Sequence, residues 1–179
     1  CCGAAPHGII SESAAAASYL GVAPYDAMPW TVMSYHSYLG ANIAKGYTNE
    51  TFGYAQTPMA RDIAAIQHLY GANYQTRSGD TVYKWSETTG EKFINGVGQG
   101  KPGSNKVFET IWDGGGRDTF DLSNFRSDVT IDLRPGGWTD FGTNQLAHLG
   151  NGKYAPGNVA VAHLHEGDPR AYIENAIGG

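Results

Sequence analysis

The second half of the sequence is a series of short apolar runs, each bounded by turn-forming residues such as Gly, Asn, Asp and Pro. Runs of this kind are typical of short β-strands and exclude a helical bundle. The 25 glycines and 11 tyrosines among 179 residues favour the same turn-rich structure. The predicted strands are residues 81–85, 107–112, 129–133 and 158–162. Two connecting segments are predicted as a loop and as a loop-rich stretch with one or two weak strands: residues 98–105 and 136–154.

The clearest predicted helix covers residues 58–70. Thr57 can cap it, Pro58 suits the first helical position, Asp62 lies near its positive end, and Gly71 can end it. Its apolar residues recur every three or four positions and form a stripe that we expect to face the core: Met59, Ile63, Ile66 and Tyr70. Because short strands follow this helix, a domain boundary is expected near residues 71–73.

Charge and composition exclude several classes of partner. The net charge is −5 and no Lys/Arg cluster is present, so we expect no nucleic-acid partner and no anionic lipid partner. No apolar stretch is long enough to span a bilayer. The two cysteines, Cys1 and Cys2, are adjacent and cannot staple the fold. Residues 1–30 are predicted to be irregular, apart from a short helix over residues 13–20.

Residues 31–35 read Thr-Val-Met-Ser-Tyr. Taken alone, a methionine beside a tyrosine indicates ordinary core packing. The run resembles the Met-turn of the metzincins, in particular of the serralysins, which are calcium-dependent zinc endopeptidases and usually carry serine where Thr31 stands. The resemblance implies that Met33 is the methionine beneath the catalytic zinc. It also implies that Tyr35 is the tyrosine that can bind this zinc and assist the transition state.

Two further segments carry the same resemblance. Residues 57–73, continuing into 76–83, are similar to the last helix of the serralysin protease domain and the start of its β-roll domain. The resemblance implies an α+β chain. Residues 1–72 would be the C-terminal edge of a metzincin catalytic domain. Residues 73–179 would be a calcium-binding, β-roll-like β sandwich, truncated before its nonapeptide repeats.

A glycine-rich segment at residues 111–120 almost fits the nonapeptide of calcium-binding β-rolls. Three glycines with an aspartate form an ordinary turn in most proteins, but they also let backbone carbonyl oxygens point at a cation. Residues 172–179 resemble the point at which the family's repeats begin, with Tyr172 in place of threonine. The resemblance implies a first calcium ion on Arg77, Gly79, Thr81, Asp113, Gly115 and Asp118. It implies a second on Gly116, Asp118, Tyr172 and Glu174.

The zinc-binding helix of the family is absent from this sequence. That helix carries His-Glu-x-x-His-x-x-Gly-x-x-His, and no two of the six histidines here have the i, i+4 spacing. His163 and His165 are expected on one side of a strand, either as ordinary surface residues or as a surface metal site. His7 lies where a third zinc histidine would be sought, but it lacks the preceding glycine pattern. We identify no zinc ligand and expect Zn²⁺ only if an upstream segment is present.

The resulting expectation is part of a secreted serralysin-type endopeptidase that acts on extracellular proteins and is inactive as this chain alone. A start at Cys1 and an end at Gly178-Gly179 indicate a fragment or a processed piece. Two alternatives stay open: a non-catalytic, calcium-stabilised binding or scaffold module, and a fragment that becomes active with an upstream catalytic segment. Without the main sheet of the zinc domain, apolar surface would be uncovered, so we expect association with a partner or self-association.

Overall fold

The computed structural model describes residues 24–179. This part of the chain contains one α-helix, α1, over Ala60–Tyr70, and short 3-10 helices at Ile43–Lys45, Gly103–Asn105, His165–Gly167 and Pro169–Ala171. Its strands are β1 Val82–Trp85, β2 Lys92–Ile94, β3 Val97–Gly98, β4 Glu109–Ile111, β5 Thr119–Asp121, β6 Trp138–Thr139, β7 His148–Gly150, β8 Lys153–Tyr154, β9 Val159–Val161 and β10 Asn175–Ile177. None of the helices in residues 24–179 has the length and apolar character that crossing a membrane requires.

The strands form three small sheets. The largest has the order β10-β5-β1-β2-β3, in which β10, β5 and β1 run parallel while β1, β2 and β3 run antiparallel. A second sheet has the order β4-β9-β6, with β4 and β9 parallel, and β7 pairs with β8. The described chain is therefore rich in strands, with one α-helix at its N-terminal side.

The two larger sheets contribute side chains to one hydrophobic core. Trp85 of β1 and Phe120 of β5 are fully buried, and their rings meet edge to face at 5.0 Å. Val159 and Val161 of β9 pack into the same core. Burial of these large side chains removes apolar area from water and so stabilises a fold whose strands are short.

Helix α1 ends as the sequence predicts, but it begins differently. Gly71, with φ of 80°, donates its backbone N–H to the Gln67 carbonyl and ends the helix. Met59 is the N-cap residue, and its N–H donates to the Asp62 carboxylate at 2.8 Å. The prediction that Thr57 caps the helix is wrong, because the Thr57 hydroxyl instead accepts a hydrogen bond from the Thr110 N–H at 2.8 Å.

The predicted apolar stripe of α1 is only partly correct. Met59 is buried, but Ile66 is 52% exposed and Tyr70 is 83% exposed. The buried helical residues are Ala60, Asp62, Ala65 and Gln67. The Thr31 hydroxyl and the Val32 N–H donate hydrogen bonds to the Asp62 carboxylate, so the side of the helix that carries Asp62 faces the protein. This side has small and polar side chains, and the large apolar ones lie outside.

Three of the four predicted strands contain an observed strand, namely β1, β4 and β9. Residues 129–133 form no strand; a single bridge joins Thr130 to Asp140, and the alternating apolar side chains pack on the core from an irregular segment. Strands β2, β3, β5 and β10 were not predicted, and Gly98 of β3 lies in the segment predicted to be a loop. The 136–154 stretch holds three short strands, and the predicted helix over residues 13–20 lies outside the described residues.

Candidate metal centre

The parallel strands bring three separate parts of the chain to one edge of the largest sheet. Val82, Thr119 and Asn175 are aligned in register as the first residues of β1, β5 and β10. The residues immediately before these strands therefore lie side by side. They are Thr81, Asp118 and Glu174.

Asp118 is fully buried at this edge and only half paired. Its Oδ1 accepts the Thr81 N–H at 2.9 Å, whereas its Oδ2 is buried without a hydrogen-bond partner. The Asp118 N–H donates to Glu174 Oε2 at 2.7 Å. Burial, together with the nearby charges of Asp113 and Glu174, raises the pKa of Asp118 to about 7, against an opposing effect of the Thr81 N–H. A carboxylate held in this way attracts either a proton or a cation.

Asp113 lies in the glycine-rich loop after β4 and is also buried. Its Oδ1 accepts the Gly115 N–H at 3.0 Å, and its Oδ2 accepts the Tyr83 hydroxyl at 2.6 Å. The Arg77 guanidinium lies 3.8 Å from the same Oδ2. Burial and the hydrogen bond to Asp113 raise the pKa of Tyr83, so this phenol remains a donor. We call Asp113, Asp118 and Glu174 the acidic cluster.

Glycines let the loop of Asp113 approach the loop that precedes β1. Gly116 has φ of 131°, and a Cβ atom built there would lie 2.5 Å from the Gly79 carbonyl carbon. A side chain at residue 116 would therefore collide with backbone that has no room to move. Arg77 also has a positive φ, and its guanidinium donates to the Trp112 carbonyl, which ties the two loops together.

The third segment of the predicted calcium site approaches from the other side. A Cβ atom at Gly115 would lie 3.5 Å from the Arg170 carbonyl oxygen, so the segment that leads to Tyr172 and Glu174 passes next to the glycine loop. The Tyr172 side chain is 40% exposed. The three segments named from the sequence are thus neighbours in the fold, but only some of their side chains touch.

These residues suit a hard cation better than a transition metal. Within residues 24–179, no three His, Cys, Asp or Glu side chains converge closely enough to hold a metal ion by themselves. Calcium differs from zinc in taking six to eight oxygen ligands, many of them backbone carbonyls. The unpaired Asp118 Oδ2, the neighbouring carboxylates and the carbonyl oxygens of the glycine-rich loop fit such a set.

The histidines do not form the strand-borne pair considered above. Strand β9 ends at Val161, and His165 begins a 3-10 helix, so the alternation expected of a strand does not apply. His163 is half-buried against Gly136. Burial, and to a smaller extent the charge of Arg61, lowers the pKa of its imidazole. The prediction that both imidazoles share one side of a strand is wrong. His7 lies outside the described residues.

A second candidate site, remote in sequence from the acidic cluster, is the turn at residues 31–35, which we call the 31–35 turn. Thr31 and Ser34 are buried, whereas Met33 is 67% exposed and Tyr35 is 75% exposed. The turn therefore presents its methionine and tyrosine outward instead of packing them into the core. Sequence reasoning did not identify Asp26 and Asp62, the two carboxylates that accept hydrogen bonds from this turn.

Comparison with known proteins gives one consistent family. A family model described as the Peptidase M10 serralysin C terminal matches residues 72–179. Metallopeptidase AprA of Pseudomonas marginalis is 36% identical over 156 residues, which cover 86% of this chain and 28% of the relative. Metalloprotease AprA of Pseudomonas entomophila (strain L48) is 38% identical, covering 86% and 27%, and serralysin of Proteus mirabilis is 37% identical, covering 86% and 26%.

The matched region extends well beyond the acidic cluster, since 86% of the chain aligns with each of these relatives. The chain nevertheless spans only about a quarter of the length of the curated relatives it matches. The family model covers the glycine-rich loop and the residues that precede the three parallel strands, where the acidic cluster lies. This chain therefore belongs to the serralysin family of M10 metallopeptidases and corresponds to a part of such an enzyme.

Proposed function

We propose that this chain is the part of a secreted serralysin-type zinc endopeptidase that joins the edge of the catalytic domain to a calcium-stabilised β-roll-like sandwich. The complete enzyme would hydrolyse peptide bonds in extracellular proteins. The observation that carries the calcium assignment is the buried Asp118 carboxylate, whose Oδ2 has no partner while two more carboxylates lie beside it. Removal of such a group from water is unfavourable unless a cation or a proton accompanies it.

The proposed calcium ligands use few side chains. Asp113 and Asp118 would supply carboxylate oxygens to the first ion, together with backbone carbonyls of the turn before β1. Asp118 would also face a second ion with Glu174. Tyr172 would contribute its carbonyl, since its side chain is 40% exposed. Bound calcium supplies positive charge that offsets the mutual repulsion of the acidic cluster. The residues proposed as ligands are those predicted above: Arg77, Gly79, Thr81, Asp113, Gly115, Gly116, Asp118, Tyr172 and Glu174.

The catalytic contribution of this chain would come from the 31–35 turn, read as a Met-turn. Met33 and Tyr35 are exposed, so both are accessible to an upstream segment that carries the zinc ligands. When bound there, zinc polarises the scissile carbonyl and activates water. The Tyr35 phenol would then donate a hydrogen bond to the oxygen on which negative charge develops. No imidazole of this chain is assigned to zinc.

The distribution of exposed apolar side chains favours a docked partner over an isolated binding module. Of 16 exposed large hydrophobic residues in the described chain, 11 lie between Val32 and Tyr70. Exposed apolar side chains that lie together mark an interaction site, and we propose such a site in this part of the chain. The upstream catalytic segment is the proposed occupant, and self-association is the expected behaviour without it.

The test joins this chain to the segment of Proteus mirabilis serralysin that precedes the matched region. Casein hydrolysis with zinc and calcium is expected for the joined protein and not for the chain alone. Tyr35→Phe should lower kcat by about tenfold or more, whereas Tyr154→Phe, an exposed tyrosine on β8, should leave kcat unchanged. A folded, zinc-loaded joined protein without peptidase activity would favour the non-catalytic calcium-stabilised module.

A further inference from the structure

Asp62 lies in the first turn of helix α1, but most of its hydrogen bonds leave the helix. Its Oδ1 accepts the Thr31 hydroxyl at 2.5 Å, and its Oδ2 accepts the Val32 N–H at 2.9 Å. Only the bond from the Met59 N–H, at 2.8 Å, belongs to the helix start. A carboxylate needed only to cap a helix would not reach a segment 30 residues away.

The Thr31 hydroxyl links Asp62 to the backbone of Met33. Thr31 is fully buried. Its Oγ1 accepts a hydrogen bond from the Met33 N–H at 3.1 Å, and the same hydroxyl donates a hydrogen bond to Asp62. The Arg61 N–H also donates to the Trp30 carbonyl at 3.0 Å. The start of α1 therefore fixes the backbone from Trp30 to Met33 through consecutive hydrogen bonds.

A separate set of hydrogen bonds holds the other half of the turn. The Ser34 hydroxyl donates to Asp26 Oδ1 at 2.6 Å and accepts the His36 N–H at 3.0 Å. The Tyr47 hydroxyl donates to the Ser34 carbonyl at 2.8 Å. With Thr31 and Ser34 anchored inward, Met33 and Tyr35 must project outward. The exposed side chains are thus positioned by their buried neighbours.

We infer that Asp62 is a positioning residue for the 31–35 turn: its carboxylate couples the start of helix α1 to Thr31 and Val32 and thereby fixes where Met33 and Tyr35 stand. The positioning is a property of this chain by itself. Its effect on peptide hydrolysis rests on the proposed function, in which Tyr35 faces the substrate oxygen.

The first test measures amide hydrogen exchange in the chain alone. Thr31→Val keeps the shape of the side chain but removes the hydroxyl, so exchange protection of the Met33 amide should fall by about tenfold or more. Thr31→Ser restores a hydroxyl and should restore that protection. The reference amide is Phe141, which donates to the buried Asn158 side chain at 2.6 Å and should not change.

The result that overturns the inference is equally specific. Unchanged Met33 protection in Thr31→Val would show that the hydroxyl does not restrain the turn. An equal loss at Met33 and Phe141 would show a general folding role instead of positioning, and would overturn it too. If Thr31→Val does not fold, Asp62→Asn serves as the second variant. Its amide keeps one oxygen for the Val32 and Met59 N–H groups but no longer accepts the Thr31 proton, so Met33 alone should lose protection.

The second test uses the protein joined to the upstream serralysin segment. Thr31→Val should lower kcat by about tenfold with little change in KM, because Tyr35 would be misplaced only where charge develops. Thr31→Ser should recover kcat. Local exchange effects without any peptidase activity would contradict the proposed function and leave the positioning role intact. Normal kcat in a variant with a loosened turn would contradict the catalytic consequence.

Discussion

Two buried aspartates, one in each half of the described chain, differ in how completely their carboxylate oxygens are hydrogen-bonded. Asp62 accepts three hydrogen bonds, from one hydroxyl and two backbone N–H groups, and both of its oxygens are paired. Asp118 has one unpaired oxygen and lies beside two other carboxylates. The comparison shows that the protein itself satisfies both oxygens of Asp62, whereas burial of the Asp118 carboxylate is unfavourable unless a proton or a cation accompanies it.

The same two halves differ in what they leave uncovered. Of the 16 exposed large apolar side chains in residues 24–179, 11 lie in the half with α1 and the 31–35 turn, whereas Tyr83, Trp85 and Phe120 of the other half are fully buried in a shared core. In the proposed function, a protein partner would cover the first half and a cation would complete the second.

The largest expected effect is the loss of stability on removal of the Asp62 carboxylate. Asp62→Ala should lower the free energy of unfolding by about 3 kcal/mol, because three buried donors lose their acceptor. The loss should be the same with calcium and with chelator. Urea unfolding measures it, and Asp128→Ala, an exposed aspartate outside both sites, is the matched control. If Asp62→Ala lowers the free energy of unfolding no more than the control does, Asp62 is not the fully bonded aspartate described above.

The second prediction concerns the calcium dependence of Asp118. Asp118→Asn should lose the stabilisation that calcium gives the unchanged chain, about 2.7 kcal/mol at a calcium concentration 100 times the Kd. In chelator, the variant should be as stable as the unchanged chain or more so, because a buried like charge is gone. Thermal unfolding with calcium and with chelator measures both, with Asp128→Asn as control. A calcium response that survives Asp118→Asn would assign the ion elsewhere.

The third prediction is a pH dependence of the calcium-free chain. The pKa of Asp118 is about 7 in the fold, against an ordinary value of 3.8, so the folded state takes up a proton that the unfolded chain has lost. The free energy of unfolding should therefore fall as pH rises from about 4 to about 7, by about 1–4 kcal/mol. Asp118→Asn should flatten this part of the curve. Stability that rises with pH across this window in the absence of calcium would be the opposite of what the burial of Asp118 requires.

The smallest expected effect concerns the apolar face of the first half. Leu69→Ser should change the stability of the monomer by no more than about 0.5 kcal/mol, because this side chain is more than half exposed. It should nevertheless reduce self-association, measured by sedimentation, and weaken capture of the upstream segment. Val97→Ser, an exposed apolar residue on β3, is the control. Equal effects of the two variants on association would argue against a localised docking face.

The sequence predicted the end of α1 from Gly71 and three strands from apolar runs bounded by turn residues, whereas the loops of the acidic cluster were predicted from the family resemblance. It did not predict β5 and β10, which are three residues long; β5 begins and ends with a polar residue, and β10 begins with one. β5 pairs in parallel with β1, and β10 pairs in parallel with β5; pairing between segments so distant in sequence leaves no local pattern.

Asp62 shows the same limit within the candidate site. Its place in the first turn of a helix is explained by the helix dipole alone, so nothing in the local sequence indicated the bonds to Thr31 and Val32. The family resemblance identified Met33 and Tyr35 by their motif. The structure was needed to show that both are exposed and which buried residues hold them.

The most direct test of the account is the metal content of the purified chain after dialysis against calcium and zinc. We predict stoichiometric calcium that disappears in Asp118→Asn and persists in Asp62→Asn, with no stoichiometric zinc. The absence of calcium from the purified chain would contradict the central claim that Asp118 binds a cation. Equal calcium content in Asp118→Asn and in the unsubstituted protein would contradict it too.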